Sequence, residues 1–271
     1  MRSIIFSLLL AALSSCGSND VRDGAPRGGS VAIPDLPGDA VPKPEPRSRY
    51  GNGPIYEVFG KAYSVMDSGA GYKERGVASW YGKKFHGNLT AMREPYDMYA
   101  MTAAHKTLPL PTYVRVRNLR NNKSIIVRVN DRGPFIHNRI IDLSYSAALR
   151  LDMVRDGTSL VEVEAITFDK PRGDRPVRKT TAAPEPANAV STAENAIFVQ
   201  VGAFGDRDNA HRRLGVLRSG GIGTAFVLED KGSNPVLYRV RIGPIRDVES
   251  YDLLVDELDK LGISDPYLVT D

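Results

Sequence analysis

Residues 127–135 read Val-Arg-Val-Asn-Asp-Arg-Gly-Pro-Phe, and the fold turns on how this stretch is read. Val127, Arg128 and Val129 alternate apolar and polar, the period-two pattern of a half-buried strand. That strand delivers Asn130 and Asp131 into a turn, because Gly133 and Pro134 interrupt regular structure. Two pieces upstream belong with it. One is Gly-Val-Ala-Ser-Trp-Tyr-Gly at residues 76–82; the other is a segment in which Glu94 and His105 stand out. Asp131, Glu94 and His105 are the candidate catalytic residues.

Working outward, the neighbouring segments repeat the alternation. Val77–Tyr81, Tyr113–Arg117 and Leu160–Ile166 all read as short strands. The tetrad Leu119-Arg-Asn-Asn reads as a hairpin turn, since Asn121 and Asn122 tolerate positive φ. A short helix is expected over Ser144–Leu151 with Asp142 or Ser144 as its cap, and Asp142 is assigned to capping rather than chemistry. Many short strands with one small helix over residues 54–168 predict a mainly β class and a closed β-barrel. Residues 196–271 follow another order: strand, helix, strand, strand, helix, strand. Asp206 and Asp247 open the helices, while Gly220-Gly221 and Gly262 end them. This βαββαβ order predicts a small α+β domain of ferredoxin-like plan with helices on one sheet face. Alternation leaves Phe198, Gln200, Arg239 and Arg241 on the other face. A ring, an amide and two guanidiniums suit a polar polymer such as a glycan; a merely solvated face stays open as the alternative.

The chain has 271 residues, enough for about two domains. Its formal charge of +4 comes without a polybasic run, so no nucleic-acid partner is expected. One cysteine excludes an internal disulfide framework and a cysteine-rich metal site. The histidines have no metal-ligand spacing, so neither a metal nor another cofactor is expected. Met1-Arg2, an apolar run from Ile4 to Leu13, and Ser14-Ser15 make residues 1–15 a secretory signal. A run of roughly 10 apolar residues is too short for a membrane span, which needs about 20. Residues 16–50, rich in Pro and Gly, read as a semi-rigid tether, and residues 169–194 as a second linker.

Leu13-Ser14-Ser15-Cys16 resembles a bacterial lipobox, which implies lipidation of Cys16 and a membrane anchor. Gly17, rather than the aspartate of inner-membrane retention, implies the outer membrane facing the periplasm. GVASWYGKKFHG, TAAHKTLPLPTYVRVRN and VRVNDRGPF followed by RIIDLS resemble the RlpA (rare lipoprotein A) family over residues 54–168. FVQVGAF and YRVRIGP with the two helices resemble a SPOR domain over residues 196–271. The resemblance implies a double-psi β-barrel and, as in some members, a lytic transglycosylase (a lyase) that cuts peptidoglycan between N-acetylmuramic acid and N-acetylglucosamine. It implies Asp131 as the functional acid with Glu94 and His105 as companions. It also implies a SPOR face that binds peptide-denuded glycan at the division septum, where divisome proteins are possible partners. One departure stands out. Members carry a Gly-containing sequence before the glutamate, whereas this chain has Thr90-Ala-Met-Arg-Glu94, and Arg93 resists positive φ.

Such a lyase uses no water as nucleophile. The muramic acid 6-hydroxyl attacks its own anomeric carbon, and one carboxyl group can serve as acid and then base. Asp131 takes that role, which requires a pKa raised above about 3.9 by burial or a neighbouring anion. Glu94 is the expected neighbour, or a stabiliser of developing positive charge; His105 orients a carboxyl group or bonds substrate. Arg132 is expected to point away. Each residue also has an ordinary explanation: a turn before Arg-Gly-Pro selects Asp131, an acidic loop Glu94, and barrel packing His105. His86 is a weaker candidate. Two other functions compete with catalysis: a non-catalytic septal binding lipoprotein and an expansin-like wall loosener.

Overall fold

The computed structural model describes residues 23–26, 36–136, 138–168, 196–264 and 266–270. The signal segment, Cys16 and the 169–194 linker lie outside the described residues. A two-stranded hairpin, β1 (Ile55–Val58) and β2 (Lys61–Ser64), precedes the barrel and stacks Tyr56 on Tyr63 at 5.3 Å. Both rings also meet Phe135, at 6.3 and 5.6 Å, so the hairpin braces the chain just past Gly133-Pro134.

Six strands then form the barrel: β3 (Lys73–Tyr81), β4 (Thr102–His105), β5 (Thr112–Asn118), β6 (Ser124–Asp131), β7 (Arg139–Ser144) and, after helix α1 (Tyr145–Arg150), β8 (Thr158–Ile166). Their order around the closed barrel is β3-β7-β4-β6-β5-β8. The β3–β7 and β4–β6 pairs are parallel and the others antiparallel, which is the double-psi β-barrel. Alternation puts Val114, Val116, Ile125, Val127, Val129, Ile141, Leu143, Val161 and Val163 inside. Each such burial contributes about 1.5–3 kcal/mol. The β5–β6 hairpin turns at Asn122, φ 58°, and the Asn118 and Asn121 amides both donate to the Leu151 carbonyl at the end of α1. Ser144 caps α1 by accepting from the Ala147 N–H at 3.3 Å. The expectation that Asp142 is a cap is corrected, because it lies inside β7.

The Pro-rich stretch is also corrected. Residues 36–53 lie on the barrel instead of hanging free. Ala40 N–H donates to Ile126 O and Ser48 N–H to Leu110 O, at 3.0 and 2.8 Å. Glu45 accepts from Tyr113 Oη at 2.6 Å and binds Arg128 at 2.9 Å. The extended backbone was legible from the prolines. What it does with its free N–H groups was not, since barrel carbonyls are their partners.

The C-terminal unit runs β9 (Ile197–Phe204), α2 (Arg207–Ser219), β10 (Ala225–Asp230), β11 (Leu237–Ile245), α3 (Val248–Lys260) and β12 (Tyr267–Thr270). Its antiparallel sheet has the order β10-β11-β9-β12, the ferredoxin-like arrangement. Asp206 and Asp247 cap the helices by accepting from Asn209 and Ser250 N–H groups at 2.9 and 2.8 Å. Ala210, Leu214, Leu217, Leu254 and Leu258 bury against Ile197, Val199, Val240 and Ile242. Arg139 of the barrel forms a two-pronged ion pair with Asp252 of α3, at 3.0 and 2.9 Å.

Candidate catalytic centre and glycan face

Asp131 ends β6 at a register shift. Ala103 of β4 pairs with Val129 and Ala104 with Asp131, so β6 carries one extra residue here. A bulge of this kind re-aims the side chains beside it. On its other side Ala104 pairs with Asp142 of β7. Two carboxyl-bearing positions therefore flank one small residue across three adjacent strands, roughly 10 Å apart at the backbone from two strand spacings. Gly133, φ 138°, turns the chain over this row; a Cβ there would lie 3.8 Å from Ala104 Cβ and 3.9 Å from Asp142 Oδ2.

The Asp131 carboxylate accepts the Ala91 and Arg132 N–H groups on Oδ1 at 2.7 and 2.8 Å. Burial raises its pKa, and the two amides and the Arg132 charge only partly oppose this. Arg132 does turn away, as expected. Its guanidinium donates to the carbonyls of Gly51 at 2.8 Å, Leu108 at 2.6 Å and His105 at 3.1 Å. Its own pKa falls to about 10, chiefly through burial.

Glu94 is not the neighbour that raises Asp131. Its carboxylate receives Arg128 at 2.8 and 3.2 Å and the Asn130 amide at 3.1 Å. Burial works upward on its pKa, but the Arg128 and Asn130 hydrogen bonds and the Arg128 charge outweigh it and hold Glu94 low. Its loop nevertheless serves Asp131. Thr90 N–H donates to Glu94 O at 2.8 Å and Glu94 N–H to Thr90 Oγ1 at 3.3 Å, closing a tight turn that aims the Ala91 amide. Arg93 sits in that turn at φ 64°, the conformation a glycine would supply, with its guanidinium 4.5 Å from the centre of the Tyr50 ring. The loop is kept without the glycine. Left-handed backbone costs about 1–2 kcal/mol, and a cation–π contact of about 0.5–1 kcal/mol offsets part of it.

His105 is 3% exposed. Its Nδ1 accepts the Thr107 and Leu108 N–H groups at 3.2 and 3.0 Å, so Nε2 carries the proton and donates to Tyr72 Oη at 2.8 Å. Tyr72 in turn donates its hydroxyl to Glu74 at 2.7 Å. Burial, with the charges of Arg132 and Lys106, pushes the imidazole pKa down to about 3. It is a neutral residue that fixes the strand end whose carbonyls hold Arg132.

The strand register thus places Asp142 across Ala104 from Asp131, while the Glu94 side chain is held by Arg128 and Asn130 and the His105 ring by Tyr72. Asp142 accepts from Ser79 Oγ, and burial raises its pKa against that hydrogen bond and the charges of Lys106 and Arg139. The Tyr81 hydroxyl is buried beside Thr102 and senses both Asp131 and Asp142. The sequence reading assigned Asp142 to a cap and Tyr81 to the core or groove wall. The apolar–polar run of Arg139–Ser144 was the available signal for Asp142, because Ser144 already supplied a cap. His86 instead accepts the Met98 N–H at 3.2 Å on an exposed loop. Among the described residues no three His, Cys, Asp or Glu side chains converge on a metal position.

On the C-terminal sheet Gln200 faces Arg241 of β11 and Tyr267 of β12 in register. It is fully buried, donating to Tyr267 Oη and accepting from Arg241 Nε at 3.4 Å. Phe198 meets Phe226 edge to face at 5.6 Å, and Arg239 is ion-paired with Asp230 at 2.7 Å. Tyr267, 47% exposed, joins this face, which the sequence reading did not include. A cleft of about 970 Å3 between the two units runs from Tyr267 past Tyr63 and Phe135 to Lys106. The Lys106 charge in turn acts on Asp142.

Residues 73–163 match the family model described as "Lytic transglycolase", and residues 193–270 match "SPOR domain". The endolytic peptidoglycan transglycosylase RlpA of Vibrio cholerae is 49% identical over 180 residues, covering 66% of this chain and 68% of that one. The protein of the same name from Pseudomonas aeruginosa (strain UCBPP-PA14) is 38% identical over 292 residues, 92% of this chain and 84% of its own. The Neisseria meningitidis serogroup B protein of that name is 39% identical, covering 82% and 85%.

Proposed function

The chain belongs to the RlpA family, and from that premise we propose that it is an endolytic lytic transglycosylase of peptidoglycan. It cleaves between N-acetylmuramic acid and N-acetylglucosamine and leaves a 1,6-anhydromuramyl end. The observation that carries the chemistry is a buried carboxyl, Asp131, with a raised pKa and a carboxylate cradled by two backbone amides. Burial favours the protonated form, which gives its proton to the departing glycosidic oxygen, and the amides stabilise the anion that this transfer leaves. The same anion then accepts the proton of the muramyl 6-hydroxyl as that oxygen closes on the anomeric carbon. Asp142, across Ala104, supplies the second carboxyl facing the oxocarbenium-like centre. Glu94 and His105 act as positioning residues, one through the Ala91 turn and the other through Arg132.

The substrate is glycan stripped of stem peptides, gathered by Phe198, Arg241 and Tyr267 with Gln200 holding the last two. Cys16 carries the lipid that anchors the chain to the outer membrane, facing the periplasm, and the C-terminal face concentrates it at the division septum. The non-catalytic reading drew its weight from Met92-Arg93, and Arg93 at φ 64° keeps the loop. The test incubates the full chain with amidase-treated sacculi. Wild type releases 1,6-anhydromuramyl products, and Asp131→Asn releases on the order of 10²–10⁴-fold fewer. A folded wild-type protein that yields none overturns the enzymatic reading.

A further inference from the structure

Three consecutive amides after β3 point at one short piece of chain from the N-terminal region. Asp23 Oδ1 accepts the N–H groups of Gly82 and Lys84 at 3.1 and 3.2 Å, and Oδ2 accepts Gly82 N–H at 3.2 Å. Lys83 N–H donates to Gly24 O at 2.9 Å. Among the described residues, every hydrogen bond that ties residues 23–26 to the barrel ends on Gly82, Lys83 or Lys84. Successive N–H groups converging in this way form an anion-binding concavity. Position 82 has to be glycine for the segment to dock, because a Cβ there would lie 2.3 Å from Gly24 O.

The concavity adjoins the candidate catalytic centre. Tyr81, the residue before it, senses Asp131 and Asp142 and stacks on Tyr96 at 4.1 Å. The charge of Asp23 is itself felt at Tyr96 and Asp142. An exposed aspartate held by backbone amides alone is a poor anchor but a good stand-in for a ligand carboxylate. Among the described residues 23–26 none belongs to an apolar core, so another carboxylate would have little burial to replace.

We infer that the Gly82–Lys84 amides are a binding site for a carboxylate borne by the substrate sugar, and that Asp23 occupies it in the unliganded chain as an internal competitor. The inference rests on the peptidoglycan reading only for its ligand. In a denuded strand that carboxylate is the lactyl group of N-acetylmuramic acid; in a peptide-bearing strand it belongs to the stem. The site gives the barrel its own means of telling a muramyl from a glucosaminyl residue next to the acid. It also holds a negative charge near Asp142 in both states, from Asp23 before binding and from the substrate afterwards.

The experiment follows the Gly82 and Lys84 amide signals by NMR in the full chain in detergent. The titrants are N-acetylmuramic acid, its uncharged methyl amide, N-acetylmuramyl-L-alanine and N-acetylglucosamine. N-acetylmuramic acid shifts both amides, whereas the methyl amide and N-acetylglucosamine do not. Comparable shifts with N-acetylmuramyl-L-alanine assign the site to stem carboxylates as well as the lactyl group; their absence restricts it to the lactyl group. Asp23→Ala, which removes both accepting oxygens, tightens N-acetylmuramic acid about tenfold, as expected when a competitor fills a site about nine-tenths of the time. Gly82→Ala, whose Cβ would crowd Gly24 O at 2.3 Å and the Trp80 ring at 2.9 Å, displaces the segment by a second route and should likewise tighten binding once its fold is checked by circular dichroism. Equal affinity for N-acetylmuramic acid and its methyl amide overturns the proposal. So does a loss of stability in both variants with no gain in affinity, which would make residues 23–26 a structural strap. Binding is read without cleavage, so the result stands whether or not anhydro products form.

Discussion

Asp131 and His105 are both buried and titratable, yet their surroundings give them opposite uses. A carboxyl whose folded pKa lies above its unfolded value binds its proton more tightly when folded. Asp131 therefore costs stability progressively as pH rises from the unfolded value of about 3.9 through its raised folded value. Activity follows the same group, falling on the alkaline side as the acid form is lost. In Asp131→Asn the amide oxygen still accepts from Ala91 and Arg132. That variant should hold its Tm at neutral pH or gain a few degrees while losing its products, as thermal scans paired with product analysis would reveal. His105 runs the other way. Its folded pKa of about 3 lies below the ordinary imidazole value of about 6.5, so the stability it contributes is present above about 6.5 and is lost as pH falls towards 3. His105→Ala should cost about 2–4 kcal/mol in urea unfolding at pH 7 and flatten that acid limb, since two strand-end amides lose their acceptor. The alkaline limb of any residual activity should be unmoved, because a neutral positioning residue does not set it.

At the scale of elements, the Thr90–Glu94 turn carries the departure from its family. Arg93→Gly removes the left-handed strain and the Tyr50 contact together, so its stability should stay within about 0.5 kcal/mol of wild type. Arg93→Ala keeps the strain and loses the contact, and should be about 1 kcal/mol worse than the glycine variant in denaturant titration. An alanine variant as stable as the glycine one would mean that backbone strain is not what position 93 contributes. The strands around this turn were legible because alternation is local: Val127, Val129 and Leu160–Ile166 announce their inward faces within a few residues. The Ser144, Asp206 and Asp247 caps were legible for the same reason. The register shift that sets one extra residue of β6 against β4 was not, because it exists only between two strands. The docking of residues 36–53 was hidden likewise, resting on partners such as Arg128 and Ile126 far along the chain.

For the whole molecule, two units divide the work: the barrel cleaves and the C-terminal sheet holds glycan nearby, raising its effective concentration at the acid. Tyr267→Ala should weaken co-sedimentation of the full chain with amidase-treated sacculi by about tenfold, the usual order for losing one stacked, exposed aromatic. Cleavage of short soluble glycans, which do not depend on tethering, should change little; an equal loss on both substrates would place Tyr267 in the barrel's work instead. Gln200→Ala should mimic part of that loss without touching glycan, because the buried amide orients Tyr267 and Arg241. By itself the sequence determined the two-domain plan, the strands, the helix caps and the aspartate at the end of β6. Period-two burial, turn chemistry and capping are all written within a few neighbouring residues. The tertiary structure alone decided which groups meet. Asp142 lies across Ala104 from Asp131, Glu94 is ion-paired with Arg128, and Gln200 is buried behind Tyr267. Proton affinity and partnership depend on desolvation and on strands brought together across the barrel, which no local pattern encodes.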